Sequence, residues 1–189
     1  MSATAPTAAP DRCSAAKAAF PKLATLISYL DSLQSRADLA TLSDLLAKAS
    51  ITRHDILPAC SFGVSGYKRN TIAESPWYEL LALRWRSAHC TPIHDHRGVS
   101  CAFRVVEGTG TEIRFLPTPS GLICPAATTL MAPGYICAAS DADIHQVANM
   151  QPPGIDLITL HIYSPPIVKM HTYTLATSQG AECASKYDC

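Results

Sequence analysis

The chain has 189 residues, 48% of them hydrophobic, enough for one domain with its own core and no need of a disulfide staple or obligate partner to fold. Lys plus Arg and Asp plus Glu stand at 15 each, with neither sign gathered into a run. That balance excludes the electrostatic footprint of a nucleic-acid or acidic-membrane binder and points to a small-molecule partner. The eight cysteines are scattered, without a CxxC pair, and read as reduced thiols of a cytoplasmic protein.

In chain order, residues 1–20 are rich in Ala, Pro and Thr, lack the apolar run of a secretory signal, and read as a disordered tail. From Pro21 to about residue 62 the period is helical: Leu23, Leu26, Ile27, Leu30 and Leu33, then Leu39, Leu42, Leu45 and Leu46 after a break at Arg36 to Asp38. Ser43 and Thr52 lie near expected helix starts. Beyond Gly63 the period becomes two. Leu81, Leu83 and Trp85 alternate with Arg84 and Arg86, and Cys101, Phe103 and Val105 with Ala102, Arg104 and Val106. Gly108, Gly110, Pro133-Gly134 and Pro152-Pro153-Gly154 punctuate these strands at the short intervals of a sandwich or barrel. The uncharged stretch from Phe115 to Ser140 carries Pro117, Pro119, Pro125 and Pro133, which exclude a membrane-spanning helix. The expected domain is a β-barrel over 63–189 with helices 21–62 packed on it.

His94-Asp95-His96 places two imidazoles at i and i+2, on the same face of an extended segment. Alone, such a pair is more often structural than a ligand pair. His145 lies where a later strand could return a third imidazole to the first two. His54 and His171 suit exposed or hydrogen-bonded roles, and His89 stays open.

At this point the sequence resembles the cupin superfamily, whose first motif has HxH, an acidic ligand and then Gly, and whose second has His followed four residues later by Asn. His145 and Asn149 match the second motif; in the first, Gly108 is in place, Ala88 stands where an upstream Gly is common, and Cys101 occupies the position of the usual Glu. Cupins with Cys there resemble cysteine dioxygenases. Tyr67-Lys68-Arg69-Asn70, Pro92-Ile93-His94-Asp95-His96 and Leu160-His161-Ile162-Tyr163-Ser164-Pro165-Pro166 carry the likeness further, over about residues 67 to 166.

The resemblance implies a mainly β cupin jelly-roll barrel, a single non-haem Fe(II) held by His94, His96 and His145, and addition of both atoms of O2 to the sulfur of a small thiol. A monomer is the expected state, and the charge balance leaves neither nucleic acid nor membrane as an expected partner. Three neutral imidazoles leave the charge of a divalent ion unneutralised, which favours a thiolate as substrate. Residues alone support only a divalent transition metal; iron comes from the likeness.

Thr159, His161 and Tyr163 alternate along one strand, so facing the interior together they require a hydrogen-bonded network; the plainer alternative turns them to solvent. The family has Ser where Thr159 stands, and Thr keeps the hydroxyl. The family further implies that Tyr163 donates to developing charge, that Cys101 can be joined to Tyr163 by a thioether, and that Arg69, with Tyr67 and His161, binds the substrate carboxylate. Relatives using 3-mercaptopropionate place their Arg after the Ser-Pro-Pro segment, and this chain has no Arg beyond Arg114. L-Cysteine is thus the expected substrate and cysteine sulfinic acid the product. The alternatives are another small thiol carboxylate such as 3-mercaptopropionate, a non-catalytic metal-binding cupin, or a zinc or nickel isomerase, which would keep the Glu that Cys101 replaces.

Overall fold

The computed structural model describes residues 12–175 and 177–184. Four helices come first: α1 Arg12–Ala19, α2 Ala24–Asp31, α3 Leu39–Lys48 and the single turn α4 Arg53–Ile56. Helix α1 corrects the expectation of a disordered tail: Ala16 is buried, and Lys17 Nζ pairs with Asp31 of α2 at 2.9 Å. An alanine-rich segment has high helix propensity and needs only a surface to lie on. Residues 1–11 lie outside the described residues. Asp38 caps α3 by accepting from Thr41 N at 2.8 Å, as a short side chain at a helix start does; Ser43 lies inside that helix rather than at its start.

Nine strands follow: β1 Lys68–Ser75, β2 Tyr78–Trp85, β3 Ile93–Glu107, β4 Gly110–Pro117, β5 Ile123–Met131, β6 Ile136–Ala148, β7 Leu157–Ser164, β8 Lys169–Thr174 and β9 Thr177–Ala184. All pair antiparallel, in the order β1-β2-β7-β3-β6-β4-β5, with β8 on β3 and β9 on β8. The 15-residue β3 bridges the two halves, its first residues pairing with β8 and its later ones with β7, while β6 runs along its other side. The ladder between β3 and β6 is irregular around His96, and Gly98 there has φ +78°. Such an extra residue bends a strand and re-aims its side chains.

The period-two pattern sorts β2, β3 and β7 into two buried faces. Leu81, Leu83, Trp85, Phe103, Val105 and Leu157 point into the barrel. Leu80, Ala82, Ala102, Ile158, Leu160 and Ile162 point outward onto Leu23, Leu26, Ile27, Leu30, Leu42 and Leu46 of the helices. The helical layer therefore covers one sheet, and β7 is buried along its whole length. This excludes the alternative that Thr159, His161 and Tyr163 face solvent; none is more than 6% exposed.

Two turn positions explain the motif spacing. A Cβ on Gly108, at φ +74°, would run into the carbonyl oxygen of Asp156. Ala88 adopts φ +68°, the left-handed region that costs an L-residue roughly 1–2 kcal/mol, which is why glycine suits the position. Asn149 is fully buried and donates to Trp85 O (3.1 Å) and Ile155 O (2.9 Å), tying the loop after β6 to the end of β2. Among the described residues no helix is long and apolar enough to cross a membrane.

Leu42 is completely buried between the helices and the sheet's outer face, on the opposite side from the histidines. Leu42→Ala should cost about 2–5 kcal/mol in urea unfolding and leave metal content unchanged. A loss under 1 kcal/mol would show that the helical layer does not stabilise the barrel.

Candidate metal centre

Inside the barrel His94 and His145 are directly opposed across β3 and β6, and the bend after His94 brings His96 to the same point. The ring centroids lie 4.6 Å (His94–His96), 4.7 Å (His94–His145) and 4.9 Å (His96–His145) apart, and one nitrogen of each falls within 4.8 Å of the others. His94 Nδ1 donates to Pro92 O at 2.9 Å and His145 Nδ1 faces Glu112 Oε1 at 2.9 Å. With Nδ1 of both rings committed as donor, the Nε2 of each presents a lone pair inward. His145 Nε2 is buried and has no hydrogen-bond partner, while His94 Nε2 and His96 Nε2 stand 3.0 Å apart. Three buried imidazole nitrogens converging in this way could hold a metal ion. Burial and the neighbouring histidines push His94 down to about 3 and His96 well below its ordinary 6.5, so the rings are neutral and available as ligands.

The cavity in front of these rings is small, about 20 Å³, and Tyr67, Arg69, Cys101, His161 and Tyr163 all line it. On β7 the alternating residues form a chain: Trp85 Nε1 donates to Thr159 Oγ1 (3.0 Å), Thr159 Oγ1 meets His161 Nε2 (2.9 Å), and His161 Nδ1 meets the Tyr163 hydroxyl (3.2 Å). Thr159 thus supplies the hydroxyl contact expected of a Ser there. Phe103 stacks on the His161 ring at 4.8 Å and 12°, fixing its plane. Burial lowers His161 to about 3 and raises the Tyr163 phenol well above its ordinary 10. The Tyr163 ring is 5.6 Å from that of His96, so the chain ends at the metal position.

Cys101 is the register partner of Tyr163 across β3 and β7, and burial holds its thiol protonated. Arg69, on β1, lies over the Tyr163 ring at 5.3 Å and is gripped by Glu79 at 2.6 Å, both side chains being under 15% exposed. Tyr67 stacks on Trp85 at 4.2 Å. Eight of the nine residues that the sequence singled out therefore line one cavity, and the ninth, Thr159, stands behind it against His161. His171, in contrast, faces Asp95 at 3.2 Å, and His54 lies in α4.

Three contributors escaped the sequence reading. Trp85 read only as one residue of an alternating strand, and Glu79 and Glu112 carried no motif. Only Asp95, between two ligands, gave a signal: its parity turns it away from the metal. It is fully buried there, accepting from Tyr173 Oη (2.7 Å) and Arg97 Nε (3.0 Å), and so pins the HxH segment to β8.

The family model described as cysteine dioxygenase type I matches residues 37–176. The chain belongs to that family. A cysteine dioxygenase type 1 from Danio rerio is 26% identical over 129 residues, covering 65% of this chain and 63% of that protein. The match thus spans somewhat less than two thirds of the relative. Among solved structures, an uncharacterized conserved protein with a double-stranded β-helix domain from Klebsiella pneumoniae superposes with a TM-score of 0.53 at 13% identity, covering 75% of this chain and 98% of that one. The architecture is that of the cupins.

Acid should destabilise the metal-free protein in a defined window. His94, His96 and His161 each bind a proton near pH 6.5 when unfolded and resist it when folded. The unfolded state therefore holds more protons below that pH, and stability falls as pH falls. Each proton contributes about 1.4 kcal/mol per pH unit, so the slope can approach roughly 4 kcal/mol per unit. Urea midpoints of metal-free protein should be flat above pH 7 and drop between 6.5 and 5; a midpoint constant to pH 5.5 would contradict buried neutral imidazoles.

Proposed function

We propose that the chain is an iron(II)-dependent thiol dioxygenase that converts L-cysteine to cysteine sulfinic acid in the reducing setting of the cytoplasm. The described cysteines 60, 90, 101, 124 and 137 are all free, in keeping with that setting. The observation that carries the reading is the wall opposite the three imidazoles: Arg69 over Tyr163, and Tyr163 at the end of a buried Trp85–Thr159–His161 relay. A barrel that merely stored a metal would have no use for such a wall. Burying those polar groups costs stability that apolar side chains would not.

Bound iron(II) would supply the Lewis acidity that favours a thiolate and the redox chemistry that activates dioxygen. The protein's own part is positioning. Arg69 presents a guanidinium suited to a carboxylate, and Glu79 holds one arm of it so that the group has a fixed direction. The His161 imidazole has two proton arrangements. When Thr159 donates to Nε2, Nδ1 carries the hydrogen toward Tyr163, and the phenol's own proton is released to the cavity, where it can stabilise charge developing on the substrate. About 20 Å³ is room for roughly one water, so even cysteine enters only as the side chains lining the cavity move apart, and bulkier thiols are disfavoured further.

Oxygen uptake with cysteine, cysteamine and 3-mercaptopropionate, on protein whose metal has been identified, tests this reading. Cysteine should exceed cysteamine by roughly ten- to a hundredfold, because cysteamine lacks the carboxylate and forgoes the charge-assisted hydrogen bonds it would make with Arg69. 3-Mercaptopropionate should bind yet turn over poorly, and Arg69→Lys should narrow the cysteine advantage. Equal use of cysteine and cysteamine would remove Arg69 from recognition, preference for 3-mercaptopropionate would favour the other thiol carboxylate, and metal-replete protein inert toward all three would be a binding cupin.

The same reading includes a thioether between Cys101 and Tyr163. Register partners in an antiparallel pair have Cβ atoms about 4.5–5.5 Å apart, a span suited to joining sulfur to the phenol ring. Joining them removes the thiol hydrogen and one ring hydrogen, two electrons and two protons passing to dioxygen. After turnover, peptide mapping should find a cross-linked peptide lighter by two hydrogens, absent from Cys101→Ser. The same species in that variant would place the bond elsewhere.

A further inference from the structure

We propose that Glu112 is the positioning and charge-balancing residue of the metal centre, supplying through His145 the negative charge that three imidazoles lack. The inference rests on the metal-centre reading and deepens it. The ligand rings are not equivalent: His94 gives its Nδ1 hydrogen to the neutral carbonyl of Pro92, whereas His145 Nδ1 faces a carboxylate, each at 2.9 Å. A carboxylate partner draws the Nδ1 proton toward itself more than a neutral carbonyl does, so Nε2 of His145 is the better electron-pair donor of these two rings. Glu112 has no exposed surface, so its charge acts through protein rather than water and is weakly screened.

Glu112 comes from β4, whose register with β6 sets Arg114 opposite His145 and Glu112 opposite Val147. Its other oxygen meets Arg114 Nε at 3.3 Å, and Arg114 in turn meets Asp143 at 3.5 Å. The guanidinium is 43% exposed, so its charge lies on the watered side and offsets the carboxylate only in part. A divalent ion held by the three rings would thus have part of its charge balanced, as it would with two imidazoles and a carboxylate ligand. The difference is that here the carboxylate occupies no coordination position. The cupin glutamate position, filled by Cys101, has surrendered its ligand, while its charge returns one ring further out, leaving a coordination position for substrate. A monoanionic thiolate would then balance more of the remaining positive charge.

The test uses Glu112→Gln, which keeps shape and an acceptor oxygen but removes the charge, and Arg114→Met, which keeps Glu112 and removes its counter-charge. Co(II) titration of the metal-free proteins reads affinity, and a mediated redox titration of the iron-loaded proteins reads potential. Glu112→Gln should bind Co(II) about 10–100-fold more weakly and move the iron potential positive; Arg114→Met should move it negative by a smaller amount. Opposite shifts distinguish charge from loose packing, which would not reverse sign. Native affinity and potential in Glu112→Gln overturn the proposal, as do shifts of one sign in both variants. If Glu112→Gln does not fold, an unchanged or positive potential in Arg114→Met overturns it. A native protein that holds neither ion overturns the metal-centre reading along with this one; a native protein that binds while Glu112→Gln binds equally overturns this one alone.

Discussion

Three buried imidazole nitrogens are held within 4.8 Å of one another at one point inside the barrel. Everything nearby serves to hold them there. Nδ1 of two rings is committed to acceptors, Asp95 ties the HxH backbone to β8 from behind, and the irregular ladder of β3 turns His96 inward. Without those constraints each ring would rotate toward a proton donor, because an unpaired buried nitrogen costs about 1–3 kcal/mol.

The second constraint is that a strand has two faces. In β7 one face carries Ile158, Leu160 and Ile162 to the helices, and the other carries His161 and Tyr163 to the cavity with Thr159 behind them. Both faces are buried, so the polar chain running along β7 is held by packing it does not itself supply. The helices thus contribute to the site without touching it: they let a strand full of polar residues remain in the interior. Trp85 joins the two roles, its ring stacked under Tyr67 and its indole N–H closing the chain at Thr159.

Much of this was legible in the residues. The change of period from 3.6 to two near Gly63 marks the passage from helices to barrel, because side-chain direction is set locally by the backbone. HxH, His145, the run from Thr159 to Tyr163 and the substitution of Cys101 identify the site, because i and i+2 share a strand face whatever the surrounding fold. The departure at Ala88 likewise has a local reading, the left-handed turn that glycine would accommodate more easily. The N-terminal segment misled because its Ala and Pro content resembles a disordered tail, whereas Arg12–Ala19 is helical beside a partner helix.

What the sequence by itself determined, then, is the alternation of faces, the ligand set and the family, all properties of short spacings along the chain. Only the tertiary structure decided which remote residues stand behind those faces. Glu112 and His145 are 33 positions apart, and Trp85 and Thr159 are 74 apart. Arg69 and Glu79 are ten apart across the β1–β2 pair, where a bulge shifts the register. No local pattern encodes such pairings, because they depend on strand order and register, which the whole core fixes together. The electrostatics of the centre belongs to that second class: an imidazole is a ligand by its type, but its charge balance depends on the carboxylate that a neighbouring strand places behind it.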